Sequence, residues 1–221
     1  MHSGWEEKNR FKVYKGLYYL TQSKFSEASH ILLETIATFN TTELLSYEDL
    51  VCYTVSVAML ALPRRQLKKK CVDGQEIQES LYGTPLVKNF LKSLYSCQYS
   101  EFLVNLAQIE QELKKSLFMG CVYYIYIDQI RAVAYSQLLE SYSSISLDFM
   151  ADTFGVTPEF IDEEVSYYIS KNMISCQIDK LSRTINTLEP QIKNEQFSKV
   201  ISSGDSLLDK LQKLLKKVQT V

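Results

Sequence analysis

Apolar side chains recur at steps of three and four residues along almost the whole chain, and this spacing constrains the fold more than any other feature. An α-helix turns once in about 3.6 residues, so such steps place the apolar side chains on one face of a helix. The 221 residues include only 7 Gly and 4 Pro, so few positions favour a left-handed turn or stop a helix. We therefore predict a mainly α-helical protein rather than a many-stranded sandwich or barrel.

The helices of the first part are predicted to pack in antiparallel pairs. Residues 5–20 and 25–36 both have helical spacing, and the break between them predicts a helical hairpin. Gly16 and Ala28 occupy small positions of the kind by which tetratricopeptide-like helices pack closely. Further helical segments follow, each separated by Gly, Pro or Ser. We predict a right-handed, TPR-like helical-repeat solenoid over residues 1–142.

The pattern changes at residue 143. Residues 145–154 and 159–169 have helical spacing, and Gly155 with Thr157 and Pro158 supplies a tight turn, an N-cap and a first helical residue. Two segments then alternate at period two, which predicts two short strands, at residues 174–179 and 184–188. Helix, turn, helix and a small β wing predict a winged helix over residues 143–190.

A winged helix raises the question of DNA binding, and its charges argue against that function. A helix that reads DNA carries Arg or Lys toward phosphates and base edges. Here the two helices carry six acidic residues: Asp148, Asp152, Glu159, Asp162, Glu163 and Glu164. These carboxylates would face a polyanion, and the whole chain has 24 Lys and Arg against 26 Asp and Glu. Nucleic-acid binding is therefore the less favoured hypothesis.

No catalytic, cofactor or metal pattern is recognisable. The 2 His residues lie outside any H-E-x-x-H arrangement, and no glycine-rich phosphate loop or G-x-S-x-G elbow occurs. We predict no catalytic residue, no cofactor and no metal. The 5 Cys form no C-x-x-C pair, which is typical of reduced thiols packed as small core residues. The apolar stretches are far shorter than the ~20 residues of a membrane span, so we expect no membrane partner.

The last segment, residues 191–221, has the spacing of a coiled-coil helix. Its seam steps alternately by four and three residues, through Phe197, Ile201, Gly204, Leu208, Leu211, Leu215 and Val218. Further apolar residues widen the stripe beyond what one partner helix would cover, so we predict a C-terminal helix that joins a multi-helix bundle. The apolar seam residues, Gly204 excepted, are its candidate interface. The alternative is that this helix folds back on its own domain.

A helical solenoid that ends in an acidic winged helix resembles the PCI-domain family, found in the proteasome lid, the COP9 signalosome and a translation initiation factor. Four strings carry a closer resemblance to one type of proteasome lid subunit: residues 9–18, 135–142, 151–156 and 178–180. The string YSQLLESY at 135–142 is the most specific of them, and the likeness covers nearly the whole chain. The equivalent signalosome subunit remains an alternative. Family members have a further N-terminal helical half, so we expect this chain to be a carboxy-terminal portion.

The resemblance implies a non-catalytic scaffold that supports ubiquitin-dependent protein degradation in the cytoplasm and nucleus. Its partners would be other PCI subunits of the lid, and indirectly the deubiquitinase subunit and the ATPase ring. The resemblance also implies that the C-terminal helices of such subunits gather in one bundle. An edge strand of the wing can pair with a neighbouring chain by β-augmentation. We therefore predict a second interface at Ile174, Ser175, Cys176, Gln177, Ile178 and Asp179.

Overall fold

The three- and four-residue spacing produces a mainly helical chain, as predicted. The computed structural model describes residues 3–39, 45–187, 200–204, 206–208 and 210. Its helices are α1 (Ser3–Thr21), α2 (Phe25–Thr35), α3 (Tyr47–Ala61), α4 (Arg64–Leu67), α5 (Gln75–Leu81), α6 (Pro85–Tyr95), α7 (Tyr99–Lys115), α8 (Tyr123–Leu139), α9 (Leu147–Phe154) and α10 (Pro158–Ser170). A 3₁₀ turn (Ile36–Thr38) follows α2, and a π-helical turn (Lys68–Val72) continues α4. The described residues between 200 and 210 are also helical.

The first hairpin confirms the prediction of close helix packing. A Cβ atom added to Gly16 in α1 would lie 2.6 Å from Cδ2 of Leu32 in α2, closer than carbon atoms can approach. Ala28 is completely buried, and the ring of Phe25 packs edge-on against Tyr126 of α8 at a centroid distance of 6.1 Å. The small residues therefore allow the helices of this solenoid to approach one another closely.

The predicted helix starts and stops are formed by the expected side chains. The hydroxyl of Ser46 accepts a hydrogen bond from the Asp49 amide at 3.1 Å, and this bond caps the start of α3. Thr157 caps α10 in the same way, with Pro158 as the first helical residue. Gly155 ends α9 at φ 69°, a left-handed conformation that glycine adopts without strain.

The winged helix contains one strand more than predicted. Its sheet is antiparallel in the order β1 (Ser144–Ser146), β3 (Thr184–Thr187), β2 (Cys176–Asp179). The prediction that a helix begins at residue 145 is wrong, because Ile145 pairs with Ile185 in the sheet and Ser146 caps α9. Strand β2 starts at Cys176 and β3 ends at Thr187, within the predicted strand segments.

One hydrophobic core continues from the solenoid into the winged helix. At the junction, the ring of Tyr135 in α8 contacts Phe154 of α9 and Tyr168 of α10, with centroid distances of 4.7 and 5.9 Å. Tyr99 of α7 lies 4.8 Å from the same Phe154 ring. Aromatic pairs at such distances stabilise packing beyond the burial of area alone. Within the described ranges, no helix has both the length and the apolar content that crossing a bilayer requires.

Candidate protein interaction surfaces

The outer edge of strand β2 offers main-chain groups that pair with no other strand among the described residues. The Thr187 amide donates to the Ser143 carbonyl at 3.0 Å and the Leu147 amide donates to Arg183 at 2.9 Å, so every second residue of β3 faces β1. Thr184 and Asn186 must then face β2, where they lie opposite Asp179 and Gln177. The alternation turns the main-chain N–H and C=O of the other two β2 residues, Cys176 and Ile178, away from the sheet.

The side chains of this strand alternate between the core and solvent. Cys176 is buried and Ile178 half-buried, whereas Gln177 and Asp179 are exposed. Burial raises the pKa of the Cys176 thiol to about 11, so the thiol remains protonated at neutral pH. Of the six predicted edge residues, four form β2, and Ile174 and Ser175 precede it. The strand is therefore anchored from one face while its outer edge stays open.

The turn after β2 is fixed by a carboxylate. Asp179 accepts hydrogen bonds from the Leu181 amide at 3.0 Å, the Ser182 amide at 3.5 Å and the Ser182 hydroxyl at 2.7 Å. The Ser182 hydroxyl, followed by these amides, lowers the pKa of Asp179. The turn presents Leu181 with 98% of its surface exposed. The open edge thus ends in a turn held by its own side chains.

From their charge, all the acidic residues of α10 are predicted to lie on the outer surface, where they would oppose DNA binding. Glu164 does not lie there, because its side chain points toward α8. Its Oε1 accepts from the Arg131 guanidinium at 2.7 Å, and its Oε2 accepts from the Tyr135 hydroxyl at 2.5 Å. The carboxylate side chain is only 16% exposed. The sequence pattern could have predicted this orientation. Glu164 lies three residues after Ile161 and four before Tyr168, so it shares a helix face with two residues that are buried. Glu164 therefore stabilises the junction of the solenoid and the winged helix.

The ionisation of this cluster follows from burial and from the carboxylate. Burial lowers the pKa of Arg131, but the negative charge of Glu164, the interactions with Tyr168 and Tyr135 and the hydrogen bond to Glu164 together outweigh burial and leave that pKa above its ordinary value. Burial, and then the hydrogen bond to Glu164, raise the pKa of Tyr135. Tyr135 is therefore a neutral hydrogen-bond donor and Arg131 a cation at physiological pH.

Two other acids of the winged helix approach basic residues of the wing turn. Asp162 lies 3.7 Å from the Lys180 ammonium, and Asp148 lies 3.9 Å from the Arg183 guanidinium. The Asp148–Arg183 pair is exposed, and in the other pair Lys180 is exposed while Asp162 is half-buried, so each pair contributes little to stability. They do neutralise part of the surface that a DNA-binding winged helix would use.

The C-terminal helix is exposed where the structure describes it. Ile201 and Leu208 of the predicted seam are 63% and 57% exposed, and the neighbouring Val200 and Leu207 are 68% and 61% exposed. The other predicted interface residues, Phe197, Leu211, Leu215 and Val218, lie outside the described residues. Within residues 200–210, the apolar side chains named here do not pack on the domain's own core.

Two sequence-based expectations concern chemistry. Among the described residues, no group of three or more His, Cys, Asp or Glu is arranged to hold a metal ion. The expectation that all Cys are packed in the core is wrong for Cys97 and Cys121, which are exposed. Cys71 and Cys176 are buried, and Cys52 is half-buried.

The models of two protein families match the chain. "26S proteasome subunit RPN7" matches residues 1–70, and "PCI domain" matches residues 101–189. The 26S proteasome non-ATPase regulatory subunit 6 homolog of Arabidopsis thaliana is 40% identical over 210 residues, which cover 95% of this chain and 54% of that relative. The chain belongs to the Rpn7 family of PCI-domain proteins.

Two further relatives separate the proteasome family from the signalosome family. The 26S proteasome regulatory subunit rpn7 of Schizosaccharomyces pombe is 40% identical over 213 residues, or 95% of this chain and 54% of that protein. The COP9 signalosome complex subunit 1 of Arabidopsis thaliana is only 24% identical over 198 residues, or 89% of this chain and 45% of that protein. The much weaker signalosome match favours the proteasome family. The chain spans about half the length of the curated relatives named here.

Proposed function

We propose that this chain is a non-catalytic scaffold subunit of the proteasome regulatory particle lid and supports ubiquitin-dependent protein degradation in the cytoplasm and nucleus. The observation that carries the proposal is the open edge of β2 on a PCI winged helix that is firmly packed against its solenoid. The names of the relatives support it, since they are regulatory, non-ATPase subunits of the 26S proteasome. The absence of a recognisable catalytic motif in the sequence is consistent with a scaffold.

The proposed assembly begins at β2. The outward N–H and C=O groups of Cys176 and Ile178 would pair with an edge strand of a neighbouring PCI subunit, which extends the sheet across two chains. The buried cluster of Arg131, Tyr135 and Glu164 holds the winged helix in one orientation. A neighbour bound at β2 would therefore also be oriented relative to the solenoid. In this way the subunit would help to position the deubiquitinase and the ATPase ring without contacting substrate.

The C-terminal helix would provide the second contact. Its exposed apolar residues Val200, Ile201, Leu207 and Leu208 fit burial in a multi-helix bundle with other lid subunits. A fully buried Leu or Ile side chain contributes about 1.5–3 kcal/mol relative to an exposed one, so a few such residues supply substantial binding energy. Membrane and nucleic acid are not among the proposed partners.

The proposal is tested by changing only the outward groups of β2. Ile178→Pro removes an N–H that points away from the sheet and keeps the hydrogen bonds of Gln177 and Asp179 to β3. We expect this variant to remain folded by circular dichroism and to fail to enter a lid reconstituted from co-expressed subunits. Ile178→Val, which keeps the N–H, is the matched control and should assemble. Normal assembly of folded Ile178→Pro would refute pairing through this edge.

A second variant tests the terminal helix independently. Leu208→Asp combined with Leu211→Asp should leave the domain folded and block incorporation into the lid, because two charges would enter the apolar bundle. Normal incorporation of this double variant into the lid would contradict the proposal that the C-terminal helix joins a multi-helix bundle. Co-purification of either wild-type or variant chain with signalosome subunits would instead favour the alternative complex. Binding of duplex DNA with a steep salt dependence would favour the nucleic-acid hypothesis.

A further inference from the structure

Cys97 lies at the centre of a polar cluster that the proposed scaffold function does not use. Its sulfur accepts a hydrogen bond from Gln137 Nε2 at 3.1 Å and from Arg64 Nη1 at 3.5 Å. The Tyr99 hydroxyl, as a further hydrogen-bond donor, also lowers the pKa of this thiol. The thiol itself can donate only over 4.0 Å, to the Tyr95 carbonyl. The surroundings therefore favour a sulfur atom that accepts hydrogen bonds, as a thiolate does.

The donors around Cys97 are held in place by contacts of their own. The Arg64 guanidinium also donates to the Tyr95 carbonyl at 2.6 Å and stacks on the Tyr95 ring at 4.7 Å. Gln137 donates a second bond to the Leu94 carbonyl at 3.4 Å. Tyr99 is buried, and Cys97 itself is exposed. Three side chains, from α4, α7 and α8, thus form a prearranged anion-stabilising site around a sulfur atom that reagents can reach.

The hydrogen bonds and the positive charge around Cys97 together change the pKa of its thiol more than burial does. Burial alone would raise the pKa of Cys97, but the hydrogen bonds from Arg64 and Tyr99 and the charge of Arg64 lower it below its ordinary value. The opposite holds for Cys71, whose pKa burial raises to about 11. The two thiols of one chain therefore differ in both access and ionisation.

A largely apolar cavity of about 470 Å³ adjoins the cluster. Arg64 and Gln137, the two side chains that contact the sulfur most directly, also line this cavity. Its apolar walls include Met59, Leu60, Leu62, Leu67, Leu94 and Met173. Cavities of this size, with apolar walls and a few polar groups, are typical of small-molecule sites. The cavity and the sulfur thus share Arg64 and Gln137.

We propose that Cys97 and this cavity form a site for covalent modification by α,β-unsaturated carbonyl compounds that carry an apolar chain. The sulfur lone pair forms a bond to the β-carbon, the C=C electron pair moves to the α-carbon and carbonyl oxygen, and water then protonates the α-carbon. The product is a thioether, the thiol proton having passed to solvent, and no oxidant is needed. Arg64 and Gln137 stabilise the attacking thiolate, and the cavity takes up the apolar chain.

The first test compares Cys97 with Cys121, which is also exposed and to which no described side chain donates a hydrogen bond. The full chain is treated with iodoacetamide at pH 7 and each Cys is followed by peptide mass spectrometry. Each unit of lowered pKa raises the thiolate fraction about tenfold and lowers its nucleophilicity about threefold, so the net gain is about threefold. We expect Cys97 to react faster than Cys121, by about threefold for each unit by which its pKa is lowered, and Arg64→Met to remove the difference. Equal alkylation rates at the two Cys would refute the inference that the Cys97 thiol is activated.

The second test concerns the cavity and uses two aldehydes of the same reactive group, acrolein and trans-2-nonenal. The ratio of the nonenal rate to the acrolein rate should be higher at Cys97 than at Cys121, because the apolar cavity adjoins the Cys97 cluster. Leu60→Asn, which places a polar but uncharged side chain in the cavity wall, should reduce that ratio at Cys97. The same ratio at both Cys would overturn the assignment of the cavity. Protection of the buried Cys71 and Cys176 reports in each experiment that the variant remains folded.

Discussion

Replacement of Glu164 by Ala tests whether the winged helix is locked to the solenoid by the buried cluster. The substitution removes the Arg131 contact at 2.7 Å and the Tyr135 contact at 2.5 Å. Hydrogen bonds to a charged group are each worth about 1.5–3 kcal/mol, and bonds that share one carboxylate are not additive. Arg131 is left only 29% exposed, without its counter-ion. We expect the free energy of unfolding to fall by about 2–3 kcal/mol.

The neighbouring Glu163 provides a matched control. It lies on the same helix and is exposed, so Glu163→Ala changes charge and helix propensity by the same amounts without touching the cluster. Its effect should stay within about 0.5 kcal/mol. Urea unfolding at pH 7 measures both variants, and at a slope of about 2–3 kcal/mol per molar urea the midpoint of Glu164→Ala should fall by about 1 M. Equal midpoints for the two variants would refute the claim that this carboxylate stabilises the junction.

Two further predictions concern the first hairpin and the wing turn. Gly16→Ala should destabilise the chain by about 1–2 kcal/mol in thermal unfolding, because the new Cβ would lie 2.6 Å from Leu32, whereas Gly4→Ala, with no atom within 4 Å, should not. The pKa of Asp179 is lowered by folding, so its stabilisation of the turn is present above the ordinary value of 3.8 and lost as the pH falls through the folded value. Amide signals of Leu181 and Ser182 that do not change between pH 6 and pH 2.5 in NMR spectra would contradict this.

The helices and their ends could be predicted from the sequence because their causes are local. Gly155 and the Thr157-Pro158 pair each act on the helix next to them and have the predicted role, and Ser46 caps α3 in the same local way. Strand β1 was missed for the opposite reason. Its 3 residues hold too few alternations to show a period of two, and it forms because β3 binds it from 40 residues away.

The candidate sites depended even more on distant parts of the chain. The sequence predicted the segment of the open edge, but which main-chain groups face outward follows from the register with β3. The cluster at Cys97 joins it to Arg64 and Gln137, which are 33 and 40 residues away in sequence. No local sequence pattern predicts that side chains so far apart in the chain contact one another. Glu164 is the exception: its spacing from the apolar residues Ile161 and Tyr168 could have predicted an inward side chain, although its charge predicted a place on the outward acidic surface.

The open edge of β2 also affects the newly made chain before any neighbour has bound. Unpaired N–H and C=O groups at a sheet edge form a template for any extended peptide, including another copy of the same strand. The exposed Leu181 beside it and the apolar residues of the C-terminal helix add to this tendency. A cell that makes this chain in excess over its binding partners should therefore accumulate aggregates or degrade the surplus. The abundance of the chain would then be set by the supply of its neighbours rather than by its own synthesis.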